Sequence, residues 1–278
     1  MIYREMIEEG AVRLLWQMVL CISNAPRFVC ICVERCSVLI PIVMEAEATP
    51  FVEHLGLKSD NSYFPPQTPF HAFTGVYHKT KVTVITPGKD NVYGTGVDSA
   101  GTVPSALATF LAISKERVDL VLNAGTCGGF GRKGASIGDV FLTTGVAHHD
   151  RRIPIPGFDA YGVGKLESVD SSHMASKLGY KTGICTTGNS LDHTKRDEEM
   201  MEANDASVKD MEAAAIAYVA AMHQVPYLGV KVVTDIVDGG IPTQEEFLRN
   251  LASAAQSLQQ ALPKVLDYLC DETKHEEL

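Results

Sequence analysis

Four short segments of this chain end or follow an apolar run with residues able to move protons or hold a polar ligand: Pro41-Ile-Val-Met-Glu-Ala-Glu47, Asn123-Ala-Gly-Thr-Cys-Gly-Gly129, Asp210-Met-Glu212 and Lys231-Val-Val-Thr-Asp235. Carboxyl groups set in different environments can serve as general acid and general base. Each segment also has a plain structural explanation. Glu45 and Glu47 in a first helical turn complement the helix dipole, and so does Glu212. Asp235 after an apolar strand suits an N-cap, and Met211 reads as core. The glycine-rich stretch after residues 118–123 reads as a turn, either a tight one or one that cradles phosphate on its N–H groups; it matches neither a P-loop nor a dinucleotide-binding pattern. His148, His149 and Asp150 are adjacent rather than spaced i, i+4, so they read as a polar loop and no metal centre is expected.

The elements that must position these residues follow from hydrophobic periodicity. Strands are expected over 37–43, 72–77, 81–86, 118–123, 139–146, 181–186 and 226–234, which are rich in Val, Ile and Thr. Helices are expected over 97–114, 196–203, 209–223 and 243–269. The runs at 119–123 and 227–233 are apolar on both alternating faces, as central strands covered on both sides must be. The fold class is therefore α/β, three layers α/β/α around a central mixed, largely parallel twisted sheet. Ligands of such sheets bind beside the carboxyl ends of strands. Residues 1–35 read as an N-terminal extension of different composition, residues 36–272 as one domain without repeat or linker, and residues 273–278 as a tail.

Bulk properties narrow the partners. The chain has 278 residues and a formal net charge of −10. An acidic surface repels polyanions, and no run of Lys and Arg forms a phosphate-binding stripe, so nucleic acid is not an expected partner. Seven cysteines with no C-x-x-C spacing read as free thiols in a reducing compartment, hence a cytoplasmic protein. The apolar stretch Leu14–Ile22 follows Glu5, Glu8 and Glu9 rather than a basic region, against a secretory signal, and no segment is long enough to span a membrane.

Taken together and in order, P-I-V-M-E-A-E, N-A-G-T-C-G-G, D-M-E-A-A-A and V-K-V-V-T-D-I-V-D-G resemble the nucleoside phosphorylase and nucleosidase superfamily. The segments His149-Asp-Arg-Arg-Ile-Pro-Ile-Pro-Gly-Phe-Asp-Ala-Tyr-Gly-Val-Gly164 and Pro242-Thr-Gln-Glu-Glu-Phe-Leu248 are similar to its plant-type methylthioadenosine nucleosidase branch. The resemblance spans roughly residues 36–270. It implies hydrolysis of the N-glycosidic bond of 5′-methylthioadenosine to adenine and methylthioribose, without a cofactor. Acceptance of S-adenosylhomocysteine as well would depend on room at the 5′ tail.

By the same resemblance Asp235 protonates adenine N7 and Glu47 deprotonates the attacking water. Glu212 accepts the ribose hydroxyls, Met211 packs on the sugar, and Leu191 holds the purine. Thr126 lies near the water. Lys231 stands where many relatives carry Arg, and Asn189 where the branch usually has Asp, which bears on the tuning of Asp235. A homodimer is implied because the loop at 149–164 helps close the neighbouring subunit's site in relatives. Two alternatives remain at this point: a phosphorylase, disfavoured because Asn123 replaces the family's phosphate-binding Arg, and a catalytically inert storage or binding protein of the same fold.

Overall fold

The computed structural model describes residues 36–270. The expected extension 1–35, with Cys21, Cys30 and Cys32, and the expected tail 273–278 lie outside the described residues. In chain order the strands are β1 (Ser37–Pro41), β2 (Lys58–Ser59), β3 (His71–Tyr77), β4 (Thr80–Thr86), β5 (Leu120–Gly129), β6 (Val140–His148), β7 (Leu166–Glu167), β8 (Lys181–Thr187), β9 (Ala206–Asp210) and β10 (Tyr227–Ile236). The α-helices are α1 (Glu45–Leu55), α2 (Thr102–Lys115), α3 (Asp159–Val163), α4 (Ser172–Leu178), α5 (Lys195–Ala203), α6 (Ala213–Met222) and α7 (Thr243–Cys270).

All ten strands belong to one mixed sheet in the order β10-β6-β8-β9-β5-β1-β4-β3-β2, with β7 on β6. The central pairings β4–β1, β1–β5 and β5–β10 are parallel, as are β6–β8 and β8–β9. Strand β10 also pairs antiparallel with β6, and β5 antiparallel with β9, so β5, β10, β6, β8 and β9 close into a ring. The sequence leads to the mixed sheet but gives no hint of this closure.

Alternation along the strands builds two cores. Leu39, Val121, Cys127 and Val233 face α2 and α6, whereas Ile40, Leu120, Leu122 and Val230 face α1 and α7. These are the three layers expected from strands apolar on both sides. The alanines of α6 are nearly all buried, which lets this helix lie close on the sheet.

Two readings of the sequence need correction. The stretch Asn123–Gly129 is not a turn: β5 runs straight through it, paired with β10 from Val121 to Gly129 and with β9 at Gly128 and Gly129. Its glycines are there for close approach instead. A Cβ on Gly128 would come within 2.6 Å of Val237 and 2.8 Å of Asp235 Oδ2, and one on Gly129 within 2.7 Å of Ala135. The helix placed at 209–223 begins only at Ala213; Lys209 and Asp210 belong to β9, a strand too polar to show as an apolar run. The helix placed at 97–114 likewise begins at Thr102, because Gly101, at φ 108°, sits outside helical geometry.

Candidate active site

A cavity of about 430 Å³ opens beside the carboxyl-terminal halves of β5, β9 and β10 and the first turn of α1. Glu47, Met211, Glu212, Thr126, Lys231, Leu191 and Asp235, seven of the eight site residues named from sequence, line it. They come from five separate parts of the chain, so the fold brings together what the sequence holds apart.

Asp235 reaches the cavity through an irregularity in β10. The register with β5 shifts between Val233 and Asp235, a bulge that re-aims the side chain. Oδ1 accepts a hydrogen bond from Thr234 Oγ1 at 2.7 Å, while Oδ2 is buried with no hydrogen-bond partner among the described residues. Burial raises the carboxyl above its ordinary range, offset in part by the Thr234 bond and the Lys209 charge. Helix α7 clamps the bulge from outside. Ile236 N–H donates to Glu246 Oε2 at 2.7 Å, and Asn250 Nδ2 donates to the Thr234 carbonyl at 2.9 Å.

Glu47 lies in the first turn of α1 and is 3% exposed. Its Oε1 accepts from Thr126 N–H at 2.9 Å and from Thr126 Oγ1 at 2.6 Å. Burial raises its pKa, and the two Thr126 bonds together with the Lys231 charge oppose that rise. Gly125 keeps space beside the other oxygen: a Cβ there would stand 3.4 Å from Oε2. Thr126 thus fixes the rotamer of Glu47 rather than facing the cavity with an unengaged hydroxyl.

Glu212 sits just before α6, where Gly101 N–H donates to Oε1 at 2.9 Å. Burial, followed by the neighbouring Asp210, pushes it up to about 7. Below it Lys231 Nζ pairs with Asp210 Oδ2 at 2.8 Å, with side chains only 2% and 1% exposed. Asp210 also accepts from Thr187 Oγ1 and Ala213 N–H at the start of α6. Burial works to raise Asp210 and to lower Lys231; their mutual attraction overrides both, so the acid is held low and the ammonium high.

Asn189 is the exception among the named residues. It is not in the cavity wall; its Oδ1 accepts from Thr102 N–H at 3.0 Å and Thr102 Oγ1 at 2.8 Å, and its own N–H donates to Asp150 Oδ2. It ties the start of α2 to the 188–190 loop, and no hydrogen bond joins it to Asp235 among the described residues. Lys209 lines the cavity and escaped the sequence reading, which took 209–223 for helix; Asp210 lines it too, with no role read for it from the sequence. Among the described residues no group of His, Cys, Asp and Glu could hold a metal ion, and no helix is long and apolar enough to cross a membrane.

The model of the family described as "Phosphorylase superfamily" matches residues 37–267. The chain belongs to the phosphorylase superfamily. Within it the chain sits with the plant methylthioadenosine nucleosidases. It is 44% identical over 84% of its length to an Arabidopsis thaliana 5′-methylthioadenosine/S-adenosylhomocysteine nucleosidase, covering 91% of that protein. To an Arabidopsis thaliana 5′-methylthioadenosine nucleosidase it is 45% identical over 84% of its length, covering 87%. The solved apo structure of an Arabidopsis thaliana 5′-methylthioadenosine nucleosidase superposes with a TM-score of 0.83 at 44% identity, over 87% of this chain and 99% of that one.

Proposed function

We propose that this protein hydrolyses the N-glycosidic bond of 5′-methylthioadenosine, with Asp235 as general acid and Glu47 as general base. One observation carries the reading: Glu47, anchored by Thr126, and Asp235, buried with one carboxyl oxygen lacking a hydrogen-bond partner among the described residues, line one cavity whose lysines are all engaged. Lys231 is paired with Asp210, Lys209 Nζ donates to the carbonyls of Ser190, Leu191 and Asp192, and Lys89 is paired with Glu45 and Asp98.

The chemistry follows from these environments. As the bond from C1′ to N9 breaks, its electron pair goes to the base, and Asp235 delivers its proton to adenine N7. Burial raises the Asp235 pKa above its ordinary value, the direction a proton donor needs. Glu47 takes a proton from a water whose oxygen bonds to C1′, giving free methylthioribose. Glu212 accepts the ribose hydroxyls, and its negative charge offsets the positive charge that grows on the sugar. Met211 packs on the sugar and Leu191 on the purine.

Phosphorolysis is the poorer reading, because a phosphate dianion would meet the Glu47 carboxylate and find each lysine of the cavity already committed. An inert binding protein would gain nothing from setting an anchored carboxylate and a buried carboxyl of raised pKa in one cavity. Incubation with methylthioadenosine, with and without phosphate, tests the reading. Free methylthioribose in both is expected; the sugar 1-phosphate as main product, or no cleavage, contradicts it.

Two further parts of the reading concern the protein's setting. The homodimer is supported by apolar side chains left open on neighbouring helices α2 and α6, with Val103 66%, Leu107 53% and Met222 58% exposed. Sedimentation of the wild type as a dimer and of Leu107→Glu as a monomer is expected; a monomeric wild type contradicts it. A cytoplasmic site is supported by Cys127 and Cys185, buried as free thiols. A tagged protein recovered outside the cytosol contradicts that.

A further inference from the structure

Lys209 is 5% exposed and projects from β9, a strand held on one side by β8 and on the other by β5. Its ammonium donates to three successive carbonyls, those of Ser190 at 3.0 Å, Leu191, and Asp192 at 3.3 Å. Three donors and no acceptor are what a lysine offers, and three carbonyls turned toward one point are what this loop presents. The loop is tied at its two ends by Asn189 N–H to Asp150 and by the capping box of Thr194 and Asp197. Between those ends, Lys209 supplies bonds at every residue from 190 to 192. Leu191 lies in the cavity wall, and so does Lys209 itself.

We infer that Lys209 is a positioning residue that shapes the purine-facing side of the cavity by gathering the carbonyls of residues 190–192 around its ammonium. The inference rests on the reading of the cavity as a nucleoside site with the purine against Leu191. A buried ammonium is costly: burial lowers the Lys209 pKa, and the nearby carboxylates, Asp192 and Asp210 among them, offset only part of that, so the three carbonyls are the partners that hold the ammonium in place. Removing it releases the loop that holds the base and leaves the sugar side, built on Met211 and Glu212, in place.

Lys209→Met removes the donors at similar volume. Adenine affinity, read by calorimetry on the intact protein, is expected to weaken by about tenfold or more. Inhibition by methylthioribose is expected to stay within about twofold of wild type. Lys209→Arg, which keeps donors and charge, is expected to regain part of the adenine affinity. Folded Lys209→Met with unchanged adenine affinity overturns the inference, as does equal weakening of both ligands, which would mark a general structural loss. Should Lys209→Met not fold, Lys209→Gln carries the same comparison with the same two overturning results. A wild type that cleaves methylthioadenosine while the variant binds adenine normally refutes this inference alone. A wild type that neither cleaves nor binds adenine refutes the proposed function and this inference with it.

Discussion

Replacing Lys231 by Met tests the most buried charge pair among the described residues. With its side chain 2% exposed and its ammonium 2.8 Å from an Asp210 carboxylate that is 1% exposed, Lys231 balances a charge almost wholly withdrawn from solvent. The variant leaves the Asp210 carboxyl in the interior without its counter-charge and with only Thr187 Oγ1 and Ala213 N–H as donors. Breaking a buried pair from one side costs about 3–5 kcal/mol. At about 2–4 °C per kcal/mol for a chain near this size, the melting temperature is expected to fall by roughly 6–20 °C.

The double variant Asp210→Asn/Lys231→Met removes the stranded charge and keeps an acceptor for the α6 amide. It is expected to recover at least about half of the loss, because neighbours in one network do not add. Thermal unfolding of wild type, both single variants and the double variant at neutral pH gives the answer. A single-variant shift under about 3 °C, or a double variant as unstable as the summed singles, refutes the reasoning. The same variant has a catalytic consequence. Lys231 opposes the rise that burial imposes on Glu47. Without it Glu47 holds its proton to higher pH, so the acid limb of kcat/KM is expected to move upward.

Gly128→Ala places a methyl group 2.6 Å from Val237 and 2.8 Å from Asp235 Oδ2. A small displacement of a reacting group costs about a hundredfold in rate, so kcat is expected to fall by at least about tenfold; unchanged turnover would show that Asp235 tolerates the shift. Glu212 is pushed up to about 7 from 4.5 by burial and Asp210. Between those values the folded protein keeps a proton that the unfolded chain releases, so this group removes stability as pH rises through the window. Glu212→Gln cannot titrate and is expected to flatten the fall in melting temperature over that window; an unchanged slope argues against the shift.

How much of this was legible in the sequence depends on what kind of signal each part carries. Strands β1, β4 and β10 and helix α7 announce themselves by period, and the α/β/α layering follows from strands apolar on both faces. Seven site residues came from motif resemblance, since Glu47 or Asp235 alone reads equally well as a helix-dipole or capping residue.

The glycines of Asn123–Gly129 misled because glycine signals either a turn or a close approach, and only the side chains of Asp235, Val237 and Ala135 packed against them decide which. Strand β9 was hidden because its one central apolar residue, Val208, gives no period; its pairing partners β5 and β8 make it a strand. With β9 hidden, Lys209 and Asp210 were assigned to a helix, and the anchor of the 190–192 loop went unseen. The closure of the ring depends on long-range pairing between β10 and β6, about which local sequence is silent.

The central claim is that Asp235 protonates the departing adenine. Asp235→Asn keeps the shape and the bond from Thr234 but cannot give up a proton as an acid does. Its turnover number on saturating methylthioadenosine, in protein shown to be folded, is the direct measurement. General-acid contributions are typically about a hundredfold to ten-thousandfold, so a fall of at least about two decades is predicted. Retention of more than about a tenth of the wild-type kcat would contradict the account and require another proton donor for the base.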